Sequence, residues 1–302
     1  VSIEHFQPRI LVVVYDPTIP SEGGVKLSEV LGWKRVDHLL KSFISDVQEA
    51  SHGICSCQIA GRIDLDSFPI KEDGFRYTPE TYLQAWRSRR AFHTPDWADY
   101  HQILRETQAV DWIRSGRADE IWLFAFPYGG FYESRMAGPR TFWCNAPPLP
   151  GYEGINRRFV MMGFNYERGV GEMLESYGHR AESIMERVYR NRSEESNSWH
   201  RFCRTHRSHP GQAEVGTIHF APNSQRDYEW GSYAQVPSRC DSWYSYPQLD
   251  GPLRLVDCSE WGFGDIRQHH LWWFKHLPHF AGEHDGLSQN WWEYIVDPNR
   301  VF

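Results

Sequence analysis

Apolar positions fall along this chain in two distinct patterns. Arg9 to Tyr15 (RILVVVY), Asp119 to Phe126 (DEIWLFAF) and Arg158 to Phe164 (RFVMMGF) are continuous apolar runs one strand long. A strand covered on both faces has no need of polar alternation, so these predict buried strands. Ile54 to Leu65 alternates apolar and polar residues, as a half-covered strand does. Between them, Leu27 to Ala50 places Leu31, Val36, Leu39, Leu40, Phe43, Ile44 and Val47 at helical spacing. Thr78-Pro79-Glu80 opens another helix, with Thr78 as N-cap and Pro79 at its first position. Tyr100 to Ser115 adds further helical turns. Strands alternating with helices predict an α/β fold, an open and mainly parallel sheet flanked by helices.

The longest helical pattern runs from Val170 to Arg190. Val170, Met173, Leu174, Tyr177, Ala181, Ile184, Met185 and Val188 form its apolar stripe. The opposite face carries Glu172, Glu175, His179, Glu182 and Glu186, and Glu175, His179 and Glu182 project the same way. Gly171 and Gly178 flank this polar stripe. An interior glycine costs a helix about 1 kcal/mol against alanine, which implies that another element approaches closely there. Beyond residue 200 the pattern loosens. Gly211 to Phe220 is strand-like and ends at His219, Gly264 to Leu277 reads as a helix starting near Asp265, and Ser288 to Ile295 as a short one. The expectation is one domain over 1–302, with the sheet core in 1–200 and 201–302 wrapping over the strand carboxyl ends.

Open α/β sheets bind ligands beyond those ends. Here they deliver Asp16, then Pro127 to Ser134 with Tyr128 and Glu133, then Asn165 to Arg168 with Glu167. Asp16, Glu133 and Asn165 are expected around one cleft. Asp16, Tyr128 and Asn165 are binding candidates, and Glu133 and Glu167 are catalytic ones. Carboxylates in unlike environments divide acid and base roles, as glycoside hydrolysis requires.

A second constellation uses metal chemistry. His179 and Glu182 form an HxxE pair, and His219 is a distant candidate for a third ligand of a divalent cation such as zinc. Catalytic zinc takes three protein ligands and keeps one position for water, whose pKa falls to about 7. Glu175 or Glu133 then serves as general base. The loop after His219 offers Asn223 and Asp227 for binding. In Asp265, His269, His270, Trp272, Trp273 and His276, histidine beside tryptophan reads as packing ahead of metal binding. No GxSxG, GxGxxG or P-loop pattern occurs.

Composition narrows the classes. Net charge is −7 with no long basic run, which argues against nucleic-acid binding. No apolar run reaches the length of a membrane span. Six cysteines without zinc-type spacing suit disulfides in an exported protein, with Cys240–Cys258 the first pair expected. Aromatic residues make up 15% of the chain, with 14 Trp. Trp243, Trp261, Trp272-Trp273 and Trp291-Trp292 suit either sugar platforms or a core.

The blocks DEIWLFAFPYGGFYESRMAGP, FVMMGFNYERGVGEMLESYGHRAESIM and HFAPNSQRDYEW resemble a functionally unassigned family of exported microbial α/β proteins. The resemblance covers most of residues 9 to 295. It implies secretion, in some members alongside lectin-like modules, and places Glu133, His179, Glu182, His219 and Asn223 in motif blocks without implying a reaction. The leading expectation is a secreted, metal-assisted hydrolase of an extracellular polymer, with a peptide bond ahead of a glycosidic one. The alternatives are a metal-free glycan-active or glycan-binding protein and a non-enzymatic adhesin or toxin-like module.

Overall fold

The computed structural model describes residues 2–302. Its main elements, in chain order, are β1 (Arg9–Tyr15), α1 (Val36–Ala50), β2 (Gln58–Leu65), α2 (Pro79–Ser88), α3 (Tyr100–Glu106), β3 (Glu120–Ala125), β4 (Ser134–Ala137), β5 (Phe159–Asn165), α4 (Val170–Tyr189), α5 (Ile266–Lys275) and α6 (Trp292–Val296). The five strands form one sheet in the order β2-β1-β3-β5-β4. The first four are parallel, and β4 runs antiparallel to β5. The fold is therefore α/β with a mixed, mostly parallel sheet.

The apolar runs became the inner strands because both of their faces are covered. Every residue of β3 is buried, and so is all of β1 after Arg9. Fully burying such side chains is worth about 1.5–3 kcal/mol each. β2 pairs with β1 alone; its first three residues, Ile59 among them, are exposed, and from Gly61 half-buried and exposed positions alternate. The long pattern from Leu27 breaks into a single turn, Leu27–Val30, and the helix α1. Gly32, with φ of 65°, carries the chain out of the first turn. The helical turns after Tyr100 break likewise at Gln108, where φ is 52°. Strand β4 lies in a stretch to which the sequence pattern assigned no element.

The chain divides into two compact units. One is Pro8–Ser42 with Cys57–Gly169, and the other is Val1–Gln7, Phe43–Ser56 and Val170–Phe302. Helix α4 shares a unit with the C-terminal third and packs on α5 and α6. The first unit holds the whole sheet.

The second unit is built on aromatic packing. Phe202, Trp243, Trp273 and Trp291 meet with ring centroids 5.0–5.6 Å apart. Trp243, Trp261, Trp273, Trp291 and Trp292 are each at most 1% exposed, so these residues are core and not sugar platforms. The Gly211–Phe220 segment forms no strand, and Ser288 to Ile295 splits into a strand, Leu287–Asn290, and α6. The expected Cys240–Cys258 bridge is absent, and no disulfide occurs among the described residues. Cys240 Sγ instead lies 3.7 Å from Asp241 Oδ1 and 3.9 Å from the Arg254 guanidinium. The cysteines therefore no longer argue for export. No described helix is long and apolar enough to cross a membrane.

Candidate functional site

Two glycines on α4 set the geometry of the histidine cluster. A Cβ on Gly171 would stand 2.5 Å from Ile266 Cγ2, and one on Gly178 would stand 2.5 Å from Ile218 Cδ1 and Cγ1. Both glycines therefore let a second segment of the same unit lie against the helix. The residue after Gly178 is His179, and the residue after Ile218 is His219. Their Nε2 atoms face each other at 2.9 Å. One turn beyond Gly171 stands Glu175, and one turn beyond Ile266 stands His270, with His270 Nε2 3.7 Å from Glu175 Oε2. Glu175 Oε1 completes the cluster, 3.2 Å from His219 Nε2 and 3.9 Å from His179 Nε2.

The far nitrogens of the two rings are held by carboxylates. His179 Nδ1 is 2.9 Å from Glu182 Oε2, and His219 Nδ1 is 3.0 Å from Asp227 Oδ1. An ionised carboxylate only accepts, so both Nδ1 atoms carry the hydrogen. In the neutral rings both Nε2 atoms are then bare lone pairs, and they converge with Glu175 Oε1 on one point. Two imidazolium rings cannot coexist there, because two N–H hydrogens would have to share the 2.9 Å gap. At most one proton fits between the rings, against the three negative charges of Glu175, Glu182 and Asp227. Zinc ligands about 2.0–2.2 Å from the ion at a tetrahedral angle stand roughly 3.3 Å apart. The three edges of the triangle bracket that value.

The site's charges follow from this crowding. Burial pushes the Glu175 carboxyl up, but its interactions with the His179, His219 and His270 rings outweigh this and hold the group far below the usual carboxylate range. Desolvation pulls the His219 ring down, and its bond to Glu175 reverses this, leaving its pKa raised. The three groups are each partly exposed, so the point of convergence remains reachable from solvent.

Glu182 does not point into the triangle. Its Oε2 takes His179 Nδ1, and its Oε1 accepts from Ile218 N–H at 2.9 Å. The carboxylate on the triangle is Glu175, expected instead as a base. Asp227 orients His219. Asn223 is buried and staples its loop by donating to the carbonyls of Ser232 (2.8 Å) and Ala234 (2.7 Å). His269 and His270, read from the sequence as packing, adjoin the cluster. Asp265 does not pair with His269 but caps α5 by accepting from Gln268 N–H.

The remaining candidates belong to the sheet unit. Strand register puts Asp16, Glu133 and Asn165 at the same edge of the sheet, where β1 and β5 end and β4 begins. Each has a local partner there. Asp16 accepts from Ser28 N–H and Oγ–H, Glu133 from the Asn145 amide, and Asn165 Oδ1 from Glu167 N–H. Glu167 lies 3.3 Å from the Arg168 guanidinium, and Tyr128 stacks on Phe92 at 3.5 Å. Asp16 lines a cavity of about 330 Å³ together with Lys26, Arg35, Asp37 and Arg62, whose lining includes neither Glu133 nor Asn165. This cavity therefore gives the paired-carboxylate reading no support.

A second group of ligand-type atoms, Cys240, Asp241 and His276, already has its cation. Arg254 clamps Asp241 at 2.5 and 2.9 Å, and burial pushes the Cys240 thiol up to about 12. No family model, curated protein or solved structure matches this chain.

Proposed function

We propose that this protein is a metal-assisted hydrolase whose divalent cation, zinc foremost, is held by His179 Nε2, His219 Nε2 and Glu175 Oε1. The observation that carries the reading is the 2.9 Å approach of two Nε2 atoms whose Nδ1 partners are both carboxylates. Carboxylate–histidine–metal triads fix the ring tautomer and raise ligand basicity, and Glu182 and Asp227 stand where that role needs them. Two histidines and one glutamate are a known catalytic zinc set, with a further position for water. Such a cation supplies a nucleophilic water near neutral pH and polarises a carbonyl. Within this reading Glu175 is a ligand and not the base, and Glu182 is an orienting residue and not a ligand.

A peptide bond in an extracellular polymer remains the proposed target, ahead of a glycosidic bond, since five of the tryptophans named as sugar platforms, Trp243, Trp261, Trp273, Trp291 and Trp292, are buried. Action outside the cell rests on the resemblance of the motif blocks alone. The test is protein purified without chelator and analysed by mass spectrometry for metals, then assayed on fluorescein-labelled casein with and without 1,10-phenanthroline. Roughly one zinc per chain, chelator-sensitive cleavage, and loss of both in His179→Ala and His219→Ala support the reading. Wild type without metal overturns it. Iron in place of zinc would redirect it to oxygen chemistry, which uses the same two-histidine, one-carboxylate set.

A further inference from the structure

His270 is fully buried, and its Nε2 has no hydrogen-bond partner, yet this atom faces Glu175 Oε2 at 3.7 Å. Its other nitrogen, Nδ1, is 3.0 Å from Nδ1 of His269, which is also fully buried. Trp230 covers the pair, stacked on His269 at 5.3 Å and edge-on to His270 at 5.1 Å. Both rings are fully buried with no carboxylate within hydrogen-bond distance, so each carries one hydrogen, and the Nδ1–Nδ1 contact needs one donor and one acceptor. If His270 were the donor there, its Nε2 would aim a bare lone pair at a carboxylate. The arrangement without that repulsion has His269 Nδ1–H donating to His270 Nδ1, and His270 Nε2–H directed at Glu175 Oε2.

We propose that His270 is a positioning residue for the metal centre, its tautomer set by His269, which keeps Glu175 a one-oxygen ligand by engaging the second oxygen. This rests on the metal reading above. Glu175 then contributes Oε1 alone, and the cation keeps positions open for water and a substrate carbonyl. A carboxylate released from His270 is free to chelate through both oxygens and close one of them. The helix crossing supports the pairing, because Gly171 against Ile266 brings α4 and α5 together one turn before Glu175 and His270.

The experiment uses the full chain loaded with zinc or cobalt(II). Long-range ¹H–¹⁵N spectra of zinc-loaded wild type, assigned against His270→Gln, are expected to show His270 as the Nε2–H tautomer and His269 as the Nδ1–H tautomer. The opposite pair of tautomers overturns the proposal. His270→Leu is expected to bind zinc about 10–100-fold more weakly and to show a weaker cobalt visible band, as a higher coordination number gives. His270→Gln, whose amide can offer N–H to the same oxygen, is expected to restore both. Equal zinc affinity and an unchanged cobalt spectrum in His270→Leu, or a failure of His270→Gln to rescue, overturns the positioning role while the metal centre stands. Wild type that takes up no zinc is the separate failure of the metal reading.

Discussion

Gly178→Ala puts the geometry of the cluster to its sharpest single-atom test. The added Cβ would lie 2.5 Å from Ile218 Cδ1 and Cγ1 and 3.2 Å from Ile218 Cβ. Carbon atoms rest about 3.5–4.0 Å apart, so Ile218 must retreat by roughly 1 Å. The 3.2 Å contact at Cβ needs a shift of only a few tenths of an ångström, and it is the two 2.5 Å contacts at Cγ1 and Cδ1 that push Ile218 and its backbone away. That backbone carries the N–H bound to Glu182 and leads directly into His219. Two opposing terms act on stability. Alanine favours the helix by about 1 kcal/mol, and overpacking a buried position costs about 1–3 kcal/mol. Urea unfolding in EDTA should therefore show a loss between zero and about 2 kcal/mol. The effect on metal is larger, since ligand distances tolerate only about 0.2 Å. Competition against a chromophoric chelator is expected to show zinc affinity lowered by at least about tenfold. Gly178→Ala/Ile218→Ala removes both γ and δ contacts and is expected to recover most of that affinity. A Gly178→Ala protein stabilised by about 1 kcal/mol, as propensity alone would give, with unchanged zinc affinity would refute the spacer argument.

Other outcomes follow from the same geometry. Glu182→Gln turns an acceptor of His179 Nδ1–H into a group that can present N–H to it, so zinc affinity in the same competition assay should drop about 10–100-fold; no change would remove Glu182 from the support of His179. His276 is buried, and desolvation pushes its pKa down to about 4 from the ordinary value near 6.5. The unfolded ring therefore protonates first as pH falls, so the stability it contributes is complete above about pH 6.5 and lost by about pH 4, on the order of 3 kcal/mol. Urea midpoints across that range should fall less steeply in His276→Gln, and parallel curves would contradict the sign or the cause. Thiol titration in denaturant should find all six cysteines reactive, and any disulfide-linked peptide in a non-reducing map would contradict the structure.

Much of this arrangement was legible in the sequence because periodicity records burial. The apolar stripe from Val170 fixed α4 to within a residue, and with it the shared face of Glu175, His179 and Glu182. The cost of Gly171 and Gly178 marked two close approaches, and both occur. The roles of Glu175 and Glu182 were not legible, since both lie within one turn of His179 and only side-chain direction separates them. His270 was hidden by its neighbours, because Trp272 and Trp273 make any histidine beside them look like packing, and His270 is packed as well as aimed at Glu175. Strand β4 was masked by its length, since the four residues SRMA are too few to show a pattern, although all four are buried. The cysteine count suggested bridges, but count and spacing carry no information on side-chain direction, and Cys240 points toward Asp241 and Arg254.

X-ray absorption at the zinc edge tests the central claim most directly, because it reports which atoms touch the cation. In zinc-loaded wild type the account expects two imidazole nitrogens and oxygen donors at about 2.0–2.2 Å, with one imidazole lost in His219→Ala. A sulfur shell at about 2.3 Å would place the ion at Cys240, Asp241 and His276 instead. That result, or a wild-type protein that takes up no zinc, would contradict the assignment of His179, His219 and Glu175 as the metal centre.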